Sequence, residues 1–121
     1  MSRVGEVSVR PWGRYEVVAE SRGWLVKRLT VSPGSRLSLQ AHAHRAETWV
    51  CTAGTGIAHW GDSPDTMTST RLVPGAVTQI SAGWVRRLEC DGDVALEIVE
   101  VQLGVCREDD TLRIQDDYDR A

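Results

Sequence analysis

Lysine is nearly absent from this chain: of 14 basic residues, Lys27 alone is a lysine and the rest are arginine. Such a bias is a genomic signature before it is a structural one. Read chemically, it singles out Lys27 as a compact, titratable ammonium at a place where a planar guanidinium would not serve. An excess of either charge is also missing, since 14 basic residues face 17 acidic ones for a formal charge of -3. That excludes the one-signed basic footprint of a nucleic-acid binder. No stretch approaches the roughly 18 to 20 apolar residues of a membrane span, and the start, Met-Ser-Arg-Val-Gly-Glu, lacks an apolar signal region. The expectation is a soluble, cytoplasmic protein with no membrane partner. Cysteines number three, Cys51, Cys90 and Cys106, without a C-x-x-C pair. A disulfide framework or zinc knuckle is thereby excluded, and the three are expected as buried, reduced thiols. No amphipathic helix of useful length, internal repeat or low-complexity linker is visible, and 121 residues leave room for one domain, 1–121, with a real core.

What is present is a run of short segments rich in Val, Leu, Ile, Thr and Trp, at 24–31, 36–40, 48–52, 56–60, 68–72, 76–80, 85–90 and 94–102. Gly-containing turns separate them: Ser32-Pro33-Gly34, Thr52-Ala53-Gly54, Val73-Pro74-Gly75, Ser81-Ala82-Gly83 and Asp91-Gly92-Asp93. Many short strands with turn chemistry between them predict an all-β, antiparallel sandwich or barrel of the jelly-roll kind. The one helical candidate is a turn or two within 109–118, where acidic residues suit a helix N-terminus.

The densest chemistry lies in Leu39-Gln40-Ala41-His42-Ala43-His44-Arg45-Ala46-Glu47-Thr48-Trp49. Alternation along an extended strand puts Gln40, His42 and His44 on one face, aimed at one point. Glu47 is out of phase by one residue. A bend or bulge at Arg45-Ala46 would return its carboxylate to that point, with Gly54 closing the following strand. Two imidazoles and a carboxylate can hold a divalent ion with positions left open for substrate. The same residues also suit the polar face of an ordinary strand.

H-x-H followed by Glu and, after six intervening residues, Gly resembles the first motif of the cupins. The likeness narrows with Arg10-Pro11-Trp12-Gly13-x-Tyr15, Lys27-Arg28-Leu29-Thr30-Val31, Pro33-Gly34, Leu37-Ser38-Leu39-Gln40, His44-Arg45-Ala46-Glu47 with Trp49, and Gly54-Thr55. It continues through Arg87-Leu88-Glu89, Leu96-Glu97-Ile98-Val99-Glu100-Val101-Gln102 with Gly104, and Glu108-Asp109-Asp110 to Arg113, Asp117, Tyr118 and Arg120. In this order, over about residues 10–120, the chain resembles the C-terminal isomerase domain of type II mannose-6-phosphate isomerases. The resemblance implies a single-domain cupin barrel that interconverts mannose 6-phosphate and fructose 6-phosphate through an enediol. In many members this domain follows a nucleotidyltransferase domain, but no Gly-rich nucleotide loop is present, so pyrophosphorylase activity is not expected.

Enediol chemistry needs a base between two adjacent carbons, an electrophile at the oxygens and a cationic site for phosphate. The resemblance implies a divalent metal as electrophile, zinc first and manganese, iron, cobalt or nickel after it, held by Gln40, His42, His44 and Glu47. For the phosphate it offers Lys27, Arg36 and Arg113. Glu100 and Gln102 share a strand face, where they either line the interior or pair with Lys27. The second cupin motif departs from the pattern, because Arg86 stands at the usual histidine, Ser81 at the proline and Cys90 at the asparagine, while Thr48 replaces a frequent histidine. A guanidinium carries only donors and cannot ligate a cation.

Parity groups Arg86 with Leu88 and Cys90, so Arg86 is expected to point into the barrel and to need an anion, from Glu47 or from substrate. Either it reaches over a metal held by His42, His44 and Glu47 to grip an anionic substrate, or it takes the metal's position and pairs with Glu47. Three functions follow from these arrangements: a metal-dependent sugar-phosphate isomerase, a degenerate cupin that binds an anionic sugar without catalysis, and, last, an iron-dependent oxygenase. The open edges of a short barrel and the tryptophans Trp12, Trp24, Trp49, Trp60 and Trp84 suit a homodimer, although core packing accounts for the tryptophans equally well.

Overall fold

The structure is a computed structural model that describes residues 2–118; Arg120 of the matched pattern lies outside the described residues. Eleven strands form two antiparallel sheets that face each other. The larger sheet has the order β1-β2-β3-β10-β5-β8 and the smaller β11-β4-β9-β6-β7. The strands are β1 Val7–Arg10, β2 Gly13–Ser21, β3 Trp24–Val31, β4 Leu39–Ala41, β5 Arg45–Ala53, β6 Gly56–Gly61, β7 Met67–Leu72, β8 Val77–Ile80, β9 Val85–Glu89, β10 Leu96–Gly104 and β11 Leu112–Gln115. The all-β jelly roll expected from the turn spacing is what forms.

The expected helix within 109–118 does not form. A single 3₁₀ turn, Glu108–Asp110, is followed by β11, which adds to the edge of β4 by pairing Leu112 with Ala41 and Arg113 with Gln40. Local acidic residues favour a helix start, but the unpaired edge of β4 offers hydrogen bonds that a one-turn helix cannot match.

Three strands run with strict alternation through the centre of the larger sheet and set the position of everything that follows. β3 turns Leu25, Lys27, Leu29 and Val31 inward, β5 turns Arg45, Glu47, Trp49 and Cys51 inward, and β10 turns Leu96, Ile98, Glu100 and Gln102 inward. Their register aligns the polar members, since Glu100 lies opposite both Lys27 and Trp49, and Gln102 opposite Glu47. One end of the interior is therefore apolar, built on Leu29, Val31, Cys51, Leu88, Cys90, Leu96 and Ile98. The other end is polar. Gly54 ends β5 at φ +75, and a Cβ there would stand 2.3 Å from the Ala95 carbonyl oxygen, so this close turn requires glycine.

Trp12 and Trp49 belong to the core, whereas Trp60 and Trp84 are only partly buried and stack on each other, with ring centroids 5.7 Å apart. All three cysteines are free thiols; Cys51 and Cys90 are buried, but Cys106 is half-buried, because it follows β10 where the chain leaves the interior.

Candidate functional site

The polar end of the interior opens into a cavity of about 230 Å³. Its walls carry six cationic side chains, Arg10, Lys27, Arg45, Arg86, Arg87 and Arg113, against two carboxylates, Glu47 and Glu100. Such an imbalance in a place shielded from water favours an anionic occupant.

Arg86 faces inward from β9 and is 1% exposed. Its Nη1 lies 2.8 Å from Glu47 Oε1, while Nε donates to the Trp84 carbonyl at 3.1 Å and Nη2 to the Ser81 carbonyl at 3.3 Å. Nη1 carries two N–H groups, so while it pairs with Glu47 this buried nitrogen keeps donor capacity. Glu47 serves a second guanidinium on its other oxygen, with Arg45 Nε donating to Oε2 at 2.9 Å. Glu47 thus gathers two arginines around one carboxylate.

Arg45 also occupies His42. The His42 Nδ1 faces the Asp110 carbonyl oxygen at 3.1 Å and must donate to it, which leaves Nε2 as the acceptor for Arg45 Nη2 at 3.1 Å. Burial first, then the charges of Arg45 and Arg86, pulls the His42 pKa down to about 4. His42 is therefore a neutral imidazole whose one lone pair is already engaged.

His44 does not join this group. The chain bends at Ala43-His44 rather than at Arg45-Ala46, because the Asp110 carboxylate accepts from the Ala43 backbone N–H at 3.2 Å and the His44 backbone N–H at 2.9 Å. That bend advances the strand phase, turning Arg45 inward and leaving His44 exposed. Gln40 lines the cavity, with Nε2 donating to Ser38 Oγ at 3.1 Å. Of the four residues expected to converge on a metal, then, His42 and Glu47 meet, with His42 Nε2 3.6 Å from Glu47 Oε2. His44 does not, so the two-histidine, one-carboxylate set of an oxygenase is not assembled. Among the described residues no three histidine, cysteine or carboxylate side chains converge as a metal site. A divalent ion about 4 Å from one guanidinium would be repelled by about 8 kcal/mol at an effective dielectric of about 20. The donor set in this cavity does not fit the metal that the cupin resemblance implies.

Lys27 is 4% exposed and sets its Nζ 4.0 Å above the Tyr15 ring. It faces Glu100 across the β3–β10 register. Glu100 accepts from Trp49 Nε1 at 3.1 Å and Gln102 Nε2 at 2.9 Å. Burial, then the charge of Glu47, pushes its pKa up to about 7, against the pull of Lys27 and Arg45. A carboxyl near neutrality in a cavity can both accept and return a proton at ordinary pH.

Arg113 lines the cavity from β11 and is otherwise exposed. Arg36, grouped with it as a phosphate ligand, lies outside the cavity. The Asp117 carboxylate takes its Nε and Nη2 at 2.6 and 2.8 Å, and Tyr118 Oη donates to its carbonyl. Arg87 is committed to the Leu37 and Gln115 carbonyls and the Gln115 side chain. Sequence reasoning missed Arg10, Arg45 and Arg87 as wall residues. Arg10 bonds the Tyr15 hydroxyl at 3.3 Å through Nη2, and all three arginines sit inside the quoted motifs; for Arg45, a bend placed two residues earlier would have exposed the inward phase it shares with Glu47 and Trp49.

Comparison with known proteins follows the same lines. A family model described as mannose-6-phosphate isomerase C-terminal matches residues 2–116. The xanthan biosynthesis protein XanB of Xanthomonas campestris is 41% identical over 113 residues, which are 93% of this chain and 23% of XanB. A mannose-1-phosphate guanylyltransferase of Klebsiella pneumoniae is also 41% identical over 113 residues, again 93% of this chain and 23% of the relative. The chain thus spans under a quarter of the length of these relatives. Among solved structures, the cupin domain of Schizosaccharomyces pombe Cnp3 superposes with a TM-score of 0.68 at 10% identity, over 76% of this chain and 64% of that one. The jelly roll described above is a cupin fold.

Proposed function

This chain belongs to the mannose-6-phosphate isomerase C-terminal family, and on that premise we propose that its cavity binds a phosphorylated sugar and isomerises it between aldose and ketose. The observation that carries the reading is the wall of six cations around two carboxylates, with a spare donor on buried Arg86. A sugar phosphate supplies the negative charge that this wall lacks. Lys27, Arg113 and Arg10 are the groups for the phosphate, and Arg86 the group for sugar oxygens.

Glu100 is the proton carrier in this scheme. As the carboxylate it takes the proton from C2 of the aldose while the C1 oxygen takes one from solvent, giving an enediol; return of the carried proton to C1, with the proton of the C2 oxygen released to solvent, leaves the ketose. No redox partner is needed. Cations at the two oxygens stabilise the charge that develops there.

Incubation with mannose 6-phosphate, with and without chelator and with added zinc, manganese, cobalt or nickel, tests the proposal by the appearance of fructose 6-phosphate. Turnover that survives chelation and disappears in Glu100→Gln is expected. A second reading, binding of an anionic sugar without turnover, is favoured by one contact, the Arg86–Glu47 pair at 2.8 Å, which stands among the residues that would otherwise present an electrophile. Binding without turnover under every condition would select it, and neither binding nor turnover would sink both.

A further inference from the structure

We infer that the cavity is a metal-independent anion receptor in which two guanidiniums, Arg45 and Arg86, stand in the place of a divalent cation. The inference deepens the anionic-sugar reading and rests on it for the occupant, but its structural core is separate. Three linked features close the site to a metal. The His42 Nε2 lone pair is taken by Arg45 Nη2 at 3.1 Å, and the opposite ring nitrogen is fixed as a donor by the Asp110 carbonyl. Both Glu47 oxygens are taken, Oε1 by Arg86 at 2.8 Å and Oε2 by Arg45 at 2.9 Å. His44, the remaining donor of the motif, is turned to solvent by the two backbone bonds that Asp110 accepts.

The three features support one another. Asp110 orients the His42 ring through its carbonyl and turns the chain through its carboxylate, and the same turn brings Arg45 inward to cap that ring. A lone Arg86 would engage one oxygen of Glu47; with Arg45 beside it, His42 and the other Glu47 oxygen are engaged as well. Guanidiniums carry only donors and a fixed positive charge, so a cavity that presents two of them where a cation would stand favours oxygen-rich anionic ligands without depending on an ion.

The test is metal content set beside binding. Full-length protein is dialysed against chelator, re-equilibrated with zinc, manganese, cobalt or nickel, freed of loose ion by gel filtration and analysed for metal. It is expected to hold far less than one ion per chain, to show no cobalt ligand-field band, and to bind mannose 6-phosphate with the same dissociation constant before and after metal treatment. A stoichiometric ion that disappears in His42→Gln overturns the inference. An ion retained in His42→Gln lies outside the cavity and leaves the inference standing. Loss of phosphosugar binding in a metal-poor protein overturns the anionic-sugar reading and not the exclusion of metal, so the two failures are distinguishable. The double variant Arg45→Gln/Arg86→His should uncover His42 and Glu47 and raise cobalt uptake at least tenfold. A folded double variant as metal-poor as the parent would refute the claim that the guanidiniums are what excludes the ion.

Discussion

Glu47 and Arg86 are not equivalent partners, and replacing each in turn should reveal it. Arg86→Met removes the guanidinium but leaves Glu47 with Arg45 at 2.9 Å. Its cost comes from the lost pair and from the Trp84 and Ser81 carbonyls that lose a donor. Breaking a buried pair from one side costs about 3 to 5 kcal/mol, and the retained Arg45 contact places this variant at about 3 kcal/mol, the low end of that range. Glu47→Gln strands two guanidiniums at once, both less than 5% exposed, and belongs at about 5 kcal/mol or above. Urea unfolding reads the difference directly. With a slope of about 2 kcal/mol per molar, Arg86→Met should lower the midpoint by about 1.5 M at constant slope, and Glu47→Gln by clearly more. The double variant should cost less than the sum of the two, because the residues share one contact. If Arg86→Met proves neutral, or costs as much as Glu47→Gln, the carboxylate does not hold the two arginines together and the reasoning is wrong.

Three further outcomes follow from the same geometry. Stability against pH should carry two opposed slopes: Glu100, raised to about 7, contributes stability at low pH that is lost as pH rises through 7, whereas His42, lowered to about 4, contributes stability present above its ordinary 6.5 and lost as pH falls through 4. The parent should therefore be nearly flat between pH 4.5 and 6.5, with Glu100→Gln unmasking a rise with pH and His42→Gln a fall, as read by urea midpoints across that window. Lys27→Met should weaken mannose 6-phosphate binding about tenfold or more, the worth of a charged hydrogen bond, while Arg36→Ala, which loses only an exposed, solvent-screened pair with Asp117 outside the cavity, should leave binding unchanged in the same calorimetric titration. Gly54→Ala, which would place a Cβ 2.3 Å from a backbone oxygen at positive φ, should lower the melting temperature sharply without altering the cavity's preference for anions.

The strands at the centre of the molecule were legible because their alternation is local: β3 has the bounds expected of it, and β10 keeps its period of two through Glu100 and Gln102. The edge strands β7 and β8 formed close to the expected 68–72 and 76–80, but the first two strands and the last were not legible. β1 and β2 lie in a segment noted only for its motif residues, and β11 forms on an edge supplied by residues far away in sequence. The phase of the His42–Glu47 segment failed for a similar reason. Asp110 places the bend from across the molecule, and no property of Ala43 or His44 announces it. Strand parity applied between 39 and 44 without that bend put His44 inside and left Arg45 out. Arg36 was misplaced because its positive charge looks the same in sequence whether it meets a ligand or, as here, Asp117.

The central claim is that an arginine-walled cavity, not a metal centre, receives the anion. Isothermal titration of chelator-treated protein with mannose 6-phosphate tests it most directly: the account predicts one saturable site, unchanged by added zinc and weakened in Arg86→Met. Binding that appears only after zinc is restored, or that Arg86→Met leaves untouched, would contradict it.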